Sequence, residues 1–292
     1  MAEERAVPGR SDVTRPIPGG VDVPEPPFWG SRVEEHVALD DIAGWLDERS
    51  LYAGRWGLKA GKSGMTYEEL VATEGAPRLT RWLDRIRESG LDDAKVVWGY
   101  WPCLSDANDL VVGAPGDSLL GGRTLARFSF PRQSGPQRLC LADYFRDRDE
   151  VARYGPDVVS FHLVTLGSRM SEETARLFGA DSYRDYFELH GLSVQLTEAL
   201  AELWHARIRD ELGFAPPTAD RAEVIRNQVY PGERFSFGYP ACPDLEQRAG
   251  VVALLQPGRI GVALSEEYQL HPEQSTDAVI LHHPEAHYFS AR

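Results

Sequence analysis

Between Tyr230 and Asp244 the chain carries three prolines, two glycines and one arginine, a density that forbids a helix. Proline fixes φ and removes a backbone donor, while glycine lets the backbone turn tightly or approach a ligand closely. The stretch Tyr230-Pro231-Gly232-Glu233-Arg234-Phe235-Ser236-Phe237-Gly238-Tyr239-Pro240-Ala241-Cys242-Pro243-Asp244 therefore reads as a rigid loop. Bare carbonyls and N–H groups beside one guanidinium suit a small zwitterion with a flat ring. The plainer alternative is an ordinary Pro/Gly turn.

Around this loop the pattern alternates irregularly between helix and strand. Helices are expected over Leu39–Leu46, with an aspartate pair in the first turn, and over Pro77–Ser89, with Leu79, Trp82, Leu83 and Ile86 on one face. Further helices are expected from Ser171 to Gly179, Ser182 to Leu189, Ser193 to Leu212, Asp220 to Gln228 and Leu245 to Leu255, Gly213 ending the longest. Strands are expected at Val96–Trp101, Asp109–Val112, Arg123–Pro131 and Val158–Leu166, with closing strands at Val262–Leu264 and Ala278–His282. No regular βαβ alternation occurs, so a doubly wound sheet is not indicated. The expected fold is a single α+β domain with a largely antiparallel, bent β-sheet flanked by helices.

Residues 1–27 are rich in proline, glycine and charge, and cannot bury enough surface to repay their ordering, so they read as a flexible linker ahead of a domain at 28–292. A net charge of −14 speaks against nucleic acid or an anionic membrane as partner. Cys103, Cys140 and Cys242 are odd in number and lack CxxC spacing, which argues for a reducing compartment without disulfides or structural zinc. With no membrane-span-length apolar run and no signal-peptide pattern, the expected location is cytoplasmic.

Several constellations invite a metal or a nucleophile. Glu202-x-x-His205 has the spacing of a di-iron ligand pair, but that site needs a second such pair on a facing helix. A solvated stripe with one capping or core histidine is the plainer account. His282 and His283, adjacent on a strand, point to opposite faces and cannot easily share one ion. Cys242 sits among proline and alanine, without a group to support a thiolate. No GxSxG, GxGxxG after a strand, GxxxxGK[ST] or HExxH is present. The chemistry expected is binding and positioning, with no catalytic side chain and no metal.

Arg234 followed by Gly238-Tyr239-Pro240-Ala241-Cys242-Pro243 resembles the S-adenosylmethionine-binding segment in the reactivation domain of cobalamin-dependent methionine synthase. The likeness runs from Pro27 to the C-terminus through Pro27-Phe28-Trp29-Gly30, Trp45-Leu46-Asp47-Glu48-Arg49, Trp56-Gly57-Leu58-Lys59, Gly99-Tyr100-Trp101-Pro102-Cys103, Asp181-Ser182-Tyr183-Arg184-Asp185-Tyr186, Leu189-His190-Gly191-Leu192-Ser193 and the His-Pro-Glu run before Tyr288. By this resemblance Asp47 receives the ammonium of S-adenosylmethionine and Arg234 its carboxylate. Glu198 matches an acidic position near the site, and Gly238, Tyr239, Ala241, Tyr288 and Phe289 line the adenosyl and methyl ends. Two departures are Asn227-Gln228-Val229, where some members carry an acidic residue, and a one-residue difference in spacing between Asp47 and Trp56.

The resemblance implies a methyltransferase module that supports reductive methylation of cob(II)alamin to methylcobalamin in methionine biosynthesis. Orientation would be its contribution, for which effective molarities of about 10⁵–10⁸ M are known. No Asp-x-His-x-x-Gly segment and no zinc cysteines are present, so cobalamin would come from a partner domain in cis or in trans. The electron would come from flavodoxin or a similar low-potential donor, and the module would not make methionine unaided. Two other readings stay open: a corrinoid-protein partner or chaperone that has kept the fold and lost the ligand, and a self-sufficient small-molecule methyltransferase.

Overall fold

A computed structural model describes residues 20–60, 64–215, 223–225 and 230–291. Most of the expected linker, the departure at 227–229 and most of the expected helix at 220–228 lie outside them; residues 223–225 are helical. Among the described residues the principal sheet has seven strands, and every pairing between them is antiparallel.

The long strand β2 (Lys95–Asp106) organises this sheet. One edge of β2 pairs with β5 (Asp157–Thr165) along nine register positions. Its other edge is shared by β1 (Gly30–Glu34) and by β3 (Asp109–Gly113), which pairs in turn with β4 (Thr124–Ser129). Beyond β5 come β9 (Ser275–Leu281) and then β6 (Glu233–Phe235). β7 (Ala263–Leu264) and β8 (Leu270–His271) form a separate ribbon, so the first expected closing strand does not join the main sheet.

Every residue of β5 is buried, as its unbroken apolar run implies for a central strand. Side chains alternate across the sheet. Val96, Trp98, Tyr100, Val158, Val164 and Ile280 join one hydrophobic cluster; Val97, Trp101, Val159, Phe161, Leu163, Phe235 and Val279 join another on the opposite face.

The first face is covered by helices α1 (Leu39–Ala43), α3 (Ala76–Glu88), α5 (Ser168–Gly179) and α6 (Tyr183–Glu211), all of which contribute to its cluster. α2 (Tyr67–Leu70) precedes α3 and is closed by a reciprocal cap between Thr66 and Glu69. α4 (Arg148–Tyr154) has the same device at Asp147 and Glu150. α7 (Arg248–Leu255) packs on the second face.

The sequence pattern suggests two helices where α6 runs unbroken for 29 residues. Gly191 lies inside it. A Cβ there would come within 3.1 Å of the Arg55 Cβ, so the glycine marks close packing of a neighbouring segment rather than a break. The helical penalty of about 0.5–1 kcal/mol for an interior glycine is small beside the burial of this helix.

Candidate functional site

β6 falls inside the stretch expected to be a rigid loop. Glu233–Phe235 pair with Leu281–Val279, and the chain leaves the sheet only after Phe235. Phe235 is buried in the second cluster, while Arg234 opposes Ile280 of the first, so Arg234 lies on the α6 side of the sheet. The turn that follows is tight. The Gly238 N–H donates to the Cys242 carbonyl at 2.9 Å and the Cys242 N–H to the Tyr239 carbonyl at 2.9 Å. Gly238 has φ +92°, a conformation that glycine alone adopts freely. Arg248 of α7 fixes the base of the turn, donating to the Phe237 carbonyl at 3.0 Å and to both oxygens of buried Asp277 at 3.2 Å.

The result is a cleft of about 190 Å³ lined by Glu198, Glu233, Arg234, Ser236, Tyr239 and Tyr288. Among the described residues that line it, Arg234 is the one cation. The side chain is 14 % exposed, with Nε 3.3 Å from Glu202 and Nη2 3.4 Å from Glu198. Burial alone would depress its pKa, but the two carboxylates outweigh that and raise it. These bonds are longer than the roughly 2.7–2.9 Å of tight charge-assisted pairs, so the guanidinium is held without being saturated. Glu233 is buried, accepts from the Arg234 N–H at 2.9 Å, and has its carboxyl pushed upward by burial. Tyr239 and Tyr288 are each about half exposed at the mouth, and Tyr288 stacks on Phe235 at 5.8 Å.

Of the residues expected to form the site, Arg234, Glu198, Tyr239 and Tyr288 share this cleft, and Gly238 shapes the turn that carries Tyr239. Two further expected residues lie behind this lining. Ala241 is fully buried in the second cluster and does not line the cleft. Phe289 is also buried there, edge-on to Phe235 at 5.7 Å, and backs the wall instead of lining it. Ser236 takes the lining position, because residues two apart on an extended chain share a face.

Asp47 is not among the residues lining the cleft. Its carboxylate accepts from the Ser50 N–H at 3.0 Å and the Ser50 hydroxyl at 2.6 Å, capping the loosely wound turn Ser50–Arg55. That turn leads directly onto α6: the Trp56 Nε1 donates to the Glu188 carbonyl at 3.0 Å, and Arg55 packs on Gly191. Positions 191, 198 and 202 fall on one stripe of an α-helix. The Arg55 end of this turn and the Arg234 cleft therefore sit along the same stripe, about two turns apart.

Beneath the cleft lies a buried polar group of His162, Glu202, His205, Arg209 and Tyr230. Burial and the Arg234 charge hold His162 down to about 3, and burial with Arg209 keeps His205 well below the usual imidazole range. Both rings are neutral. His205 packs edge-on against Tyr230 at 5.0 Å and has the core placement considered for it. His282 bonds Asp157 at 2.8 Å while His283 packs on Tyr144, so the adjacent pair diverges as alternation requires. The Cys242 thiol is pushed up to about 12 by burial and donates to the Ser236 carbonyl, a poor setting for a thiolate. Among the described residues no three of His, Cys, Asp and Glu converge as a metal site, and no helix is long and apolar enough to cross a membrane.

This arrangement can grip a small anionic group, balance a cation against carboxylates and border a flat ring. Residues 39–292 match the family model described as the vitamin B12 dependent methionine synthase activation domain. The methionine synthase of Mycobacterium tuberculosis is 52 % identical over 294 residues, covering 97 % of this chain and 24 % of that protein. That of Mycobacterium leprae is 52 % identical over 280 residues, covering 92 % and 23 %. A crystal structure of the MetH reactivation domain bound to AdoHcy superposes with TM-score 0.81 and 21 % identity, covering 93 % of this chain and 84 % of that one. The chain thus spans about a quarter of the length of the curated relatives it matches.

Proposed function

The chain belongs to the family of vitamin B12-dependent methionine synthase activation domains, and from that membership we propose that it binds S-adenosylmethionine in the Arg234 cleft and orients its methyl group for transfer. The carrying observation is a single part-buried guanidinium, loosely held by carboxylates, in a cleft with two exposed tyrosines at its mouth. Arginine grips a carboxylate bidentately, and Glu198 with Asp47 supplies negative charge for the ammonium and the sulfonium. Tyr239 and Tyr288 border the nucleoside. The AdoHcy held by the similar fold supports this choice of ligand.

Displacement at a sulfonium methyl needs a strong nucleophile and alignment, not a proton relay. Cobalamin, when brought by its own domain, supplies that nucleophile; this chain's part is to hold the methyl donor still and exclude alternative poses. In this reading the module is one part of a methyltransferase, residues 1–27 link it to its neighbour, and residues 28–292 form the domain. Its partners are the cobalamin domain and a low-potential electron donor of the flavodoxin type. The three buried free cysteines suit a cytoplasmic setting.

Calorimetric titration with S-adenosylmethionine tests the reading. The wild-type chain is expected to bind and Arg234→Ala to show no heat of binding. A wild-type chain without binding heat, or an Arg234→Ala chain that binds equally well, contradicts it.

A further inference from the structure

We propose that Glu202 is the positioning residue of this site: it holds the Nε edge of Arg234 from below, so that the terminal Nη edge is presented to the ligand carboxylate. The assignment rests on the ligand reading above and adds a residue to it. Two carboxylates touch Arg234, and they are not equivalent. The Glu198 side chain is 40 % exposed and meets Nη2 at 3.4 Å; the Glu202 side chain is 9 % exposed and meets Nε at 3.3 Å. A guanidinium has a lateral edge that includes Nε and a terminal edge of two Nη groups, and either can pair bidentately with a carboxylate. Glu202 occupies the lateral edge. Glu198 meets Nη2, the nitrogen both edges share, and is solvent-accessible, so a ligand carboxylate can take the terminal edge at small cost, freeing Glu198 for the ammonium beside it.

Glu202 cannot move in the same way, because its surroundings hold it on three sides. The Tyr230 hydroxyl donates to Oε2 at 3.4 Å, while Oε1 faces Arg209 Nη2 at 3.6 Å and His205 Nδ1 at 4.0 Å. Arg209 lies over the Tyr230 ring at 3.9 Å, and His205 meets the same ring edge-on. Two buried guanidiniums thus flank one buried carboxylate. Removing it leaves both short of a counter-charge, and the neutral imidazoles of His162 and His205 supply none. At 3.6 Å Arg209 ion-pairs with Oε1, while the neutral His205 ring at 4.0 Å is too far for a direct hydrogen bond. The hydrogen-bonding contacts of Glu202 are accordingly those towards Arg234 and Tyr230, at 3.3 and 3.4 Å.

Two ligands separate positioning from bulk structure. S-adenosylhomocysteine carries the amino-acid carboxylate; 5′-methylthioadenosine has the same nucleoside without it. In Glu202→Gln, which keeps the shape and loses the charge, affinity for S-adenosylhomocysteine is expected to fall at least about tenfold. Affinity for 5′-methylthioadenosine is expected to stay within about twofold, and Glu202→Gln combined with Arg234→Lys, which still binds, should cost less than the sum of the two single losses. Tyr230→Phe, a milder change behind Glu202, gives the same selective loss on a smaller scale and serves if Glu202→Gln does not fold. Equal losses for both ligands, unchanged binding of both, or an additive double variant overturns the assignment. A wild-type chain that takes up neither nucleoside is a different failure, recognisable at once, in which the ligand reading falls and this assignment with it.

Discussion

Arg234 combines a fixed charge, a buried stem and a half-free hydrogen-bonding edge, and each property limits what can replace it. Lysine keeps the charge but not the planar fork. Arg234→Lys is therefore expected to weaken S-adenosylmethionine binding at least about tenfold with the fold intact, measured by calorimetry beside circular dichroism. His162, on the same sheet face, makes a different prediction. An unfolded histidine takes up a proton near 6.5, whereas this one resists until about 3. Between those values the unfolded chain binds more protons, so stability falls as pH falls through that window, by about 1.4 kcal/mol per unit. His162→Leu should remove that slope between pH 6 and 4 in urea melts; an unchanged slope would contradict the neutral buried ring. Arg234 was legible in sequence as the lone cation of a Pro/Gly-rich stretch. Ser236 was not, because reading the whole stretch as loop conceals the period-two alternation that pairs it with Arg234. Glu202 was visible only as half of a metal-like spacing, since its partners Arg209, Tyr230 and Arg234 converge from separate elements.

At the scale of elements, the turn after β6 decides whether Tyr239 reaches the cleft. Gly238→Ala forces a side chain into φ +92° and sets its Cβ 2.8 Å from Leu245 Cδ2. It should cost about 1–3 kcal/mol of stability and reduce ligand affinity together, read from denaturant midpoints and titration. Ser236 and Ala241 should separate the two sides of this segment. Ser236→Phe fills the cleft and blocks binding with little loss of stability. Ala241→Leu overpacks the second core at about 1–3 kcal/mol and leaves the affinity of the folded fraction unchanged. The reverse pattern would return Ala241 to the cleft. The apolar runs of β2 and β5 and the amphipathic face of α3 were readable because burial dictates their composition. The continuity of α6 was not, because Gly191 reads as a break until the packing of Arg55 against it is known. β6 is three residues long, too short for periodicity to declare itself beside Pro231 and Gly232.

For the whole molecule, one antiparallel sheet divides two hydrophobic clusters, and the cleft lies where β6 and the turn behind it meet the stripe of α6 that carries Glu198 and Glu202. Composition and the absence of βαβ alternation were enough to expect an α+β domain. Nothing local in the sequence could state that Arg55 and Arg234, 179 positions apart, would lie along one helix. The chain belongs to the activation-domain family and spans about a quarter of its relatives' length, and the work proposed for its cleft is to hold a methyl donor for a neighbour. A crystal structure of the chain with S-adenosylhomocysteine tests that most directly. The ligand carboxylate should lie on the terminal edge of Arg234 at about 3 Å, the ammonium between Glu198 and Asp47, and the adenosyl group against Tyr239 or Tyr288. Ligand density elsewhere on the protein, with Arg234 still closed on Glu198, would contradict the account.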